Sequence, residues 1–256
     1  MRILGIESSS LVASAALVTD DVLTAEYTVN LKKTHSQTLL PMIVEIFRML
    51  ELEPSTVDAI AVSAGPGSFT GLRIGSATGK GLGLALKKPL IHIPTVDAMA
   101  YNLYGTSALI CPIMDARRNQ VYTGLYHFSR EFQIVKEQNA ADIFELAEEI
   151  NSIGERVVFL GDGVPVYGNI LKEKINVPMD FAPAHVNRQR GASVAALGAV
   201  YYKAGKIETA MEHKPDYLRK SQAERERDIA EKQGELEKLA AGHVVVDRSG
   251  ECKEKC

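Results

Sequence analysis

Tryptophan is absent from this 256-residue chain, and aromatic residues make up only 6% of it. Burial therefore falls to aliphatic side chains, within an ordinary globular balance of 46% hydrophobic and 24% charged residues. Cysteine is scarce too. Cys111 sits in an apolar run and Cys252 and Cys256 at the very end, an odd count with no framework spacing. That excludes a disulfide scaffold and fits a reducing cytosol. No excess of positive charge exists: the net charge of -3 gives no hint of a polyanion-binding surface. Met1-Arg2-Ile3-Leu4-Gly5-Ile6 runs straight into a strand, which argues against a signal peptide. None of the six histidines, His35, His92, His127, His185, His213 and His243, lies four residues from another. With no H-E-x-x-H and no Cys-x2-Cys, a local zinc or metalloprotease motif has nothing to build on. A G-x-S-x-G nucleophile elbow is also missing.

What the chain has is glycine in one place. The stretch from Ala59 to Pro89 opens as a buried strand (59–63) and turns through Gly65-Pro66-Gly67. It then reads as a helix over 70–86. Gly71, Gly75, Gly79 and Gly83 recur there every fourth residue, forgoing about 4 kcal/mol of helix propensity. Such a bare ridge implies something pressed close against it. Arg73 and Lys80 interrupt the segment, which is too short to span a bilayer. The run Gly75 to Lys80 imitates a phosphate loop but is one residue short, with Gly81 where a Ser or Thr belongs.

Around that centre the pattern is strand, turn, strand and extended stretch over residues 2–29, with the turn at Asp20-Asp21. Thr34 and Gln37 form a capping-box pattern before a helix with apolar residues at Leu39, Leu40, Ile43, Ile46, Phe47 and Leu50. Ile91 to Ile93 reads as a strand and Thr95 to Tyr104 as a short helix. From Ala108 the order apolar strand, acid, polar turn, alternating strand returns, with Asp115 in the place of Glu7. This suggests two similar lobes. A strand over 157–160, a Gly161-Asp162-Gly163 turn, a helix over 166–174 and a small-residue helix over 191–202 follow. Residues 219–238 carry interleaved charge, as a solvated helical tail would, and 241–256 are expected to be disordered.

Few residues stand out as chemical. Gly67, Ser68 and Thr70 join a strand to a helix start, where free amides favour a phosphate, although a tight capped connection explains them better. Glu7 with Ser9 in the following turn suits a metal-bound nucleotide only weakly, because no glycine there lets backbone approach. Asp115 with Arg117 and Arg118 reads as an ion pair or partner contact, and Asp162 as a turn residue.

Taken in order, five motifs resemble the TsaB (YeaZ) family: I-E-S-S-S from Ile6, H-S-Q-T-L-L-P from His35, S-A-G-P-G-S-F-T-G-L-R-I-G from Ser63, D-A-R-R-N-Q-V-Y from Asp115 and Y-L-R-K-S-Q-A-E from Tyr217. The resemblance implies an α/β chain with the duplicated, ribonuclease H-like fold of actin, sugar kinases and Hsp70. It divides as an N-terminal lobe (1–105, completed by part of 203–220), a C-terminal lobe (106–202) and a charged tail (221–256).

It also implies a cytoplasmic, non-catalytic subunit that binds and activates TsaD, with TsaE as a further partner. TsaD transfers threonylcarbamoyl from its adenylate to the tRNA adenosine beside the anticodon. The two histidines that hold metal in TsaD align with Thr95 and Met99. Neither tRNA by itself nor a tightly bound cofactor is expected here, and ATP or ADP belongs at the junction of the complex. Pairing with TsaD, or with a second copy of the chain, is expected through His35, Leu39, Leu40, Ile43, Phe47, Gly71, Arg73, Gly75, Gly79 and Gly83. The alternatives are an active phosphotransferase of the same fold, with Glu7 or Asp115 as its carboxylate, and a peptidase.

Overall fold

The computed structural model describes residues 1–128 and 131–218. The charged stretch 219–238, the end 241–256 and the whole of the charged tail 221–256 lie outside the described residues. The chain opens with an antiparallel meander, β1 (Arg2–Glu7), β2 (Val12–Thr19) and β3 (Val22–Asn30). Asp20 and Asp21 both adopt positive φ, as a two-residue hairpin turn requires. Helix α1 (His35–Met49) leads to β4 (Ala59–Gly65), parallel to β1. Helix α2 (Phe69–Leu86) leads to β5 (Leu90–Pro94), parallel to β4, and α3 (Thr95–Tyr101) follows. The sheet order is β3-β2-β1-β4-β5. β1 and β4 are buried almost throughout, as central strands covered on both faces must be.

The second half repeats this arrangement. β6 (Leu109–Asp115), β7 (Gln120–Phe128) and β8 (Phe132–Asp142) form a meander. Then come α4 (Ile143–Ile153), β9 (Val157–Leu160), α5 (Val164–Lys174), β10 (Met179–Phe181) and α6 (Gly191–Lys203). β9 runs parallel to β6 and β10 to β9, so the order β10-β9-β6-β7-β8 reads in reverse as the first sheet's. Two identical β-β-β-α-β-α-β-α orders make this the duplicated α/β fold of actin, sugar kinases and Hsp70.

Three differences from the sequence expectations have physical causes. Thr34 precedes α1, but its side chain makes no capping hydrogen bond, so the capping box does not form. β8 and α4 fall in a stretch without a predicted element. The signal there was Asp142, whose Oδ1 accepts from the Phe144 amide at 2.8 Å, ahead of the buried series Leu146, Ala147 and Ile150.

The third difference corrects the grouping of 106–202. α6 packs on the first sheet, where Val194, Ala195, Leu197 and Ala199 share a core with Ile3, Ala59, Ala61, Ile91 and Ile93. Gly5 permits this approach, because a Cβ there would collide with the Gly191 carbonyl oxygen. Conversely, Val96, Met99 and Ala100 of α3 enter a core with Ile110, Met114, Tyr126 and Leu160 of the second half.

Candidate functional site

The strand-acid-turn repeat sets Glu7 at the end of β1 and Asp115 at the end of β6, with Asp162 just past β9. Glu7 and Asp162 interact electrostatically, as do Asp162 and Asp115. Burial pushes the Glu7 carboxyl above the usual range, although hydrogen bonds from Ser9 oppose the shift. Burial likewise raises Asp162, against a hydrogen bond from Gln189.

Each group in this cleft already has a structural role. Glu7 Oε1 accepts from the Ser9 amide at 2.6 Å and from Ser9 Oγ at 2.5 Å. The Ser9 carbonyl in turn accepts from the Ser68 amide at 2.6 Å, and a Cβ on Gly67 would collide with that same oxygen. Ser68 Oγ caps α2 by accepting from the Gly71 amide at 3.3 Å. Glu7, Ser9, Gly67 and Ser68 therefore zip two turns together; Thr70 is exposed beside them. Asp115 accepts from the Arg117 amide at 2.8 Å and from Tyr167 Oη at 2.9 Å, so its tie to Arg117 is through backbone.

The glycine ridge of α2 faces inward, which corrects the expectation for it. A Cβ at Gly71 would collide with the Ser8 carbonyl, one at Gly75 with Ser8 Oγ, and one at Gly83 with Leu90 Cδ1. At Gly79 it would lie 2.6 Å from Val62 Cγ2. The chain's own β1–β2 turn and sheet occupy the whole ridge, so these four glycines are not a partner surface. Leu39, Ile43 and Phe47 are also buried, in a core with Leu4, Ile6 and Val62. His35 is half-buried, its Nε2 2.7 Å from the Ser10 carbonyl oxygen. Of the interface residues expected from sequence, Leu40 and Arg73 are exposed.

The opposite faces of α1 and α2 are open. Leu40, Val44 and Leu84 are 49%, 58% and 60% exposed, and Arg73, Ala77 and Gly81 continue the α2 stripe. A Cβ on Gly81 would meet nothing within 4 Å. Nothing within the described residues explains a helical glycine there. Val44, Ala77, Gly81 and Leu84 escaped the sequence reading because the inward glycines dominated it. The available signal was a second four-residue spacing, 73-77-81, offset by two from the first.

A family model described as TsaD, tRNA N6-adenosine threonylcarbamoyltransferase, matches residues 25–227. The Bacillus subtilis tRNA threonylcarbamoyladenosine biosynthesis protein TsaB is 34% identical over 230 residues, covering 88% of this chain and 96% of the relative. The chain belongs to the TsaB family. Escherichia coli TsaB is 28% identical over 87% of this chain and 96% of its own length. The solved structure of YeaZ from Pseudomonas aeruginosa superposes with a TM-score of 0.72 at 24% identity, covering 85% of this chain and 99% of that one, which shows the shared fold.

Membership raises the question of the TsaD metal pair. Thr95 Oγ1 is fully buried, 2.8 Å from Ser63 Oγ, and accepts from the Gly65 amide at 3.1 Å. Met99 is buried in the second core, its Cε packed against Gly161. These residues do not fit a metal: a committed hydroxyl and a core thioether replace two imidazoles. Among the described residues, no helix is long and apolar enough to cross a membrane.

Proposed function

We propose that this chain serves tRNA threonylcarbamoyladenosine formation as a non-catalytic subunit. It docks on TsaD through the outward stripe of α1 and α2, and the pair then engages TsaE and tRNA. ATP or ADP, on this reading, sits at the junction of the complex. A second copy of the chain competes for the same stripe. The observation that carries the reading is Gly81, a glycine without a role among the described residues, set among exposed Leu40, Val44, Ala77 and Leu84. An interior glycine costs about 1 kcal/mol relative to alanine, a loss that close approach by a second helix makes intelligible. The names of the relatives supply the pathway. The lack of fit at Thr95 and Met99, and the hydrogen-bonded Glu7, support a non-catalytic role.

Co-purification tests this. Gly81→Leu and Leu84→Asp should each leave a folded, cooperatively melting chain that no longer retains TsaD, and threonylcarbamoyl transfer by the mixture should fall with it. Retention of TsaD by both folded variants would remove the stripe from the interface. Transfer by the isolated chain would refute the non-catalytic role.

A further inference from the structure

Beyond α6 the chain returns to the edge of the first sheet. Leu90 and Glu208 exchange both backbone hydrogen bonds, at 2.8 and 2.9 Å, and the Asp216 amide donates to the Ala64 carbonyl at 2.7 Å. Lys80 Nζ holds the His213 carbonyl at 3.0 Å, and Tyr217 packs on Phe69 with ring centroids 4.6 Å apart. Residues 207–217 thus form a strap over β5 and the start of α2. One cluster of side chains sits beneath it.

His92 projects from β5 between two carboxylates of the strap. Its Nε2 lies 2.8 Å from Asp216 Oδ2, and its Nδ1 lies 4.0 Å from Glu208 Oε1. A carboxylate at Nε2 fixes the proton there, as it does behind many metal-bound imidazoles. Nδ1 then faces a carboxylate oxygen across 4.0 Å, a separation that a bound cation could bridge. The same oxygen is 2.5 Å from Nδ1 of His213, whose side chain is fully buried. One ligand atom from each of His92, Glu208 and His213 lies within 4.8 Å of the other two. Around a tetrahedral zinc with bonds of about 2.0–2.2 Å, ligand atoms sit about 3.4 Å apart, so the set closes when the 4.0 Å His92–Glu208 gap narrows and the 2.5 Å His213–Glu208 pair opens. Glu208 and Asp216 together bring the two negative charges that a dication needs.

We infer that His92, Glu208 and His213 form a zinc site, oriented by Asp216, that clamps the 207–217 strap onto β5. His92 and Glu208 are partly exposed, at 29% and 23% of their side chains, which leaves the fourth position open to water. Borderline N/O donors of this kind take zinc, and copper still more tightly where it is free. A search by local spacing does not find the site, because its histidines come from distant segments.

The probe is Zn2+ alone, titrated into the metal-stripped full-length chain. Because Cys252 and Cys256 are also zinc ligands by chemistry, the reference is the Cys252→Ser/Cys256→Ser variant. It should take up one Zn2+ per chain by calorimetry and by metal analysis, and amide exchange should slow across residues 207–217. His92→Ala and Glu208→Gln should each weaken uptake by more than about 10-fold, and Asp216→Asn by about 10-fold. Should the variants melt non-cooperatively, nitrogen spectra of the reference chain decide instead. Zinc should then shift the imidazole nitrogens of His92 and His213 and leave those of His35, His127 and His185 in place. No stoichiometric uptake by the reference, uptake indifferent to His92 and Glu208, or unmoved His92 and His213 signals would overturn the site.

Discussion

At the scale of single residues, two glycines of one helix make opposite predictions for the same substitution. Gly71 lies against the Ser8 backbone carbonyl, whereas Gly81 faces open space. Gly71→Ala should destabilise the chain by about 1–3 kcal/mol, since backbone cannot give way cheaply to an added methyl. Gly81→Ala should stabilise it by about 0.5–1 kcal/mol through helix propensity alone. Urea unfolding of the two variants decides; equal signs would mean that the inward and outward faces of α2 are misassigned. Asp97 makes a different kind of prediction. Its Oδ1 accepts from Tyr126 Oη at 2.7 Å in a buried site. Burial pushes the carboxyl up to about 6, and the tyrosine only partly offsets that. The unfolded value is about 4, so between those values the native state holds more protons than the unfolded one. The Asp97 contribution to stability should therefore fall as pH rises from about 4 to about 6 and stay level above. That fall amounts to about 2–3 kcal/mol. The buried acids Glu7 and Asp162 shift in the same direction. Asp97→Asn, which keeps an acceptor for Tyr126, should flatten the profile and raise stability at neutral pH. A variant with an unchanged slope would assign the dependence elsewhere.

At the scale of elements, helix starts show what pattern alone conveys. Thr34 and Gln37 have the right spacing for a capping box, yet Thr34 makes no cap, whereas Ser68 and Asp142 do. Ser68→Ala should cost about 1 kcal/mol in chemical unfolding, while Thr34→Ala should stay within about 0.5 kcal/mol. A larger loss at Thr34 than at Ser68 would contradict the observed caps. Strands β1, β4 and β6 and helices α2 and α6 were legible in the sequence, because unbroken apolar runs and small-residue helices have few alternatives. Strand β8 was not: its residues are mostly half-exposed, so burial leaves no clean alternation. The direction of the glycine face was also illegible. Periodicity tells that a face is bare and never what covers it. Here Ser8, Val62 and Leu90 cover it, residues brought in by turn and sheet pairing and not by the helix itself. The site suffered likewise. Glu7 and Asp115 were recognised as counterparts and Asp162 only as a turn residue, because their hydrogen bonds to Ser9, Tyr167 and Gln189 depend on tertiary neighbours.

At the scale of the whole molecule, the duplication is closed by an exchange. The last helix of each half completes the other half's core: α3 joins Ile110, Met114 and Leu160, and α6 covers Ile3, Ala59, Ala61, Ile91 and Ile93. Sequence boundaries at 105 and 202 therefore do not delimit self-sufficient folding units. A fragment of residues 1–105 would leave the α6-facing side of the first sheet in water, and with it a run of fully buried aliphatic residues worth about 1.5–3 kcal/mol for each large side chain. With net stabilities of about 5–15 kcal/mol for whole domains, that loss is decisive. The fragment should show little amide dispersion by NMR and no cooperative thermal transition. The same fragment joined by a flexible linker to residues 187–218 should recover both, because α6 and the strap over β5 return together. Cooperative folding of residues 1–105 alone would show that the first sheet needs no loan from the second half. Failure of the linked form would place the missing stabilisation in the α3 contacts with residues 110–182, which the linked form lacks.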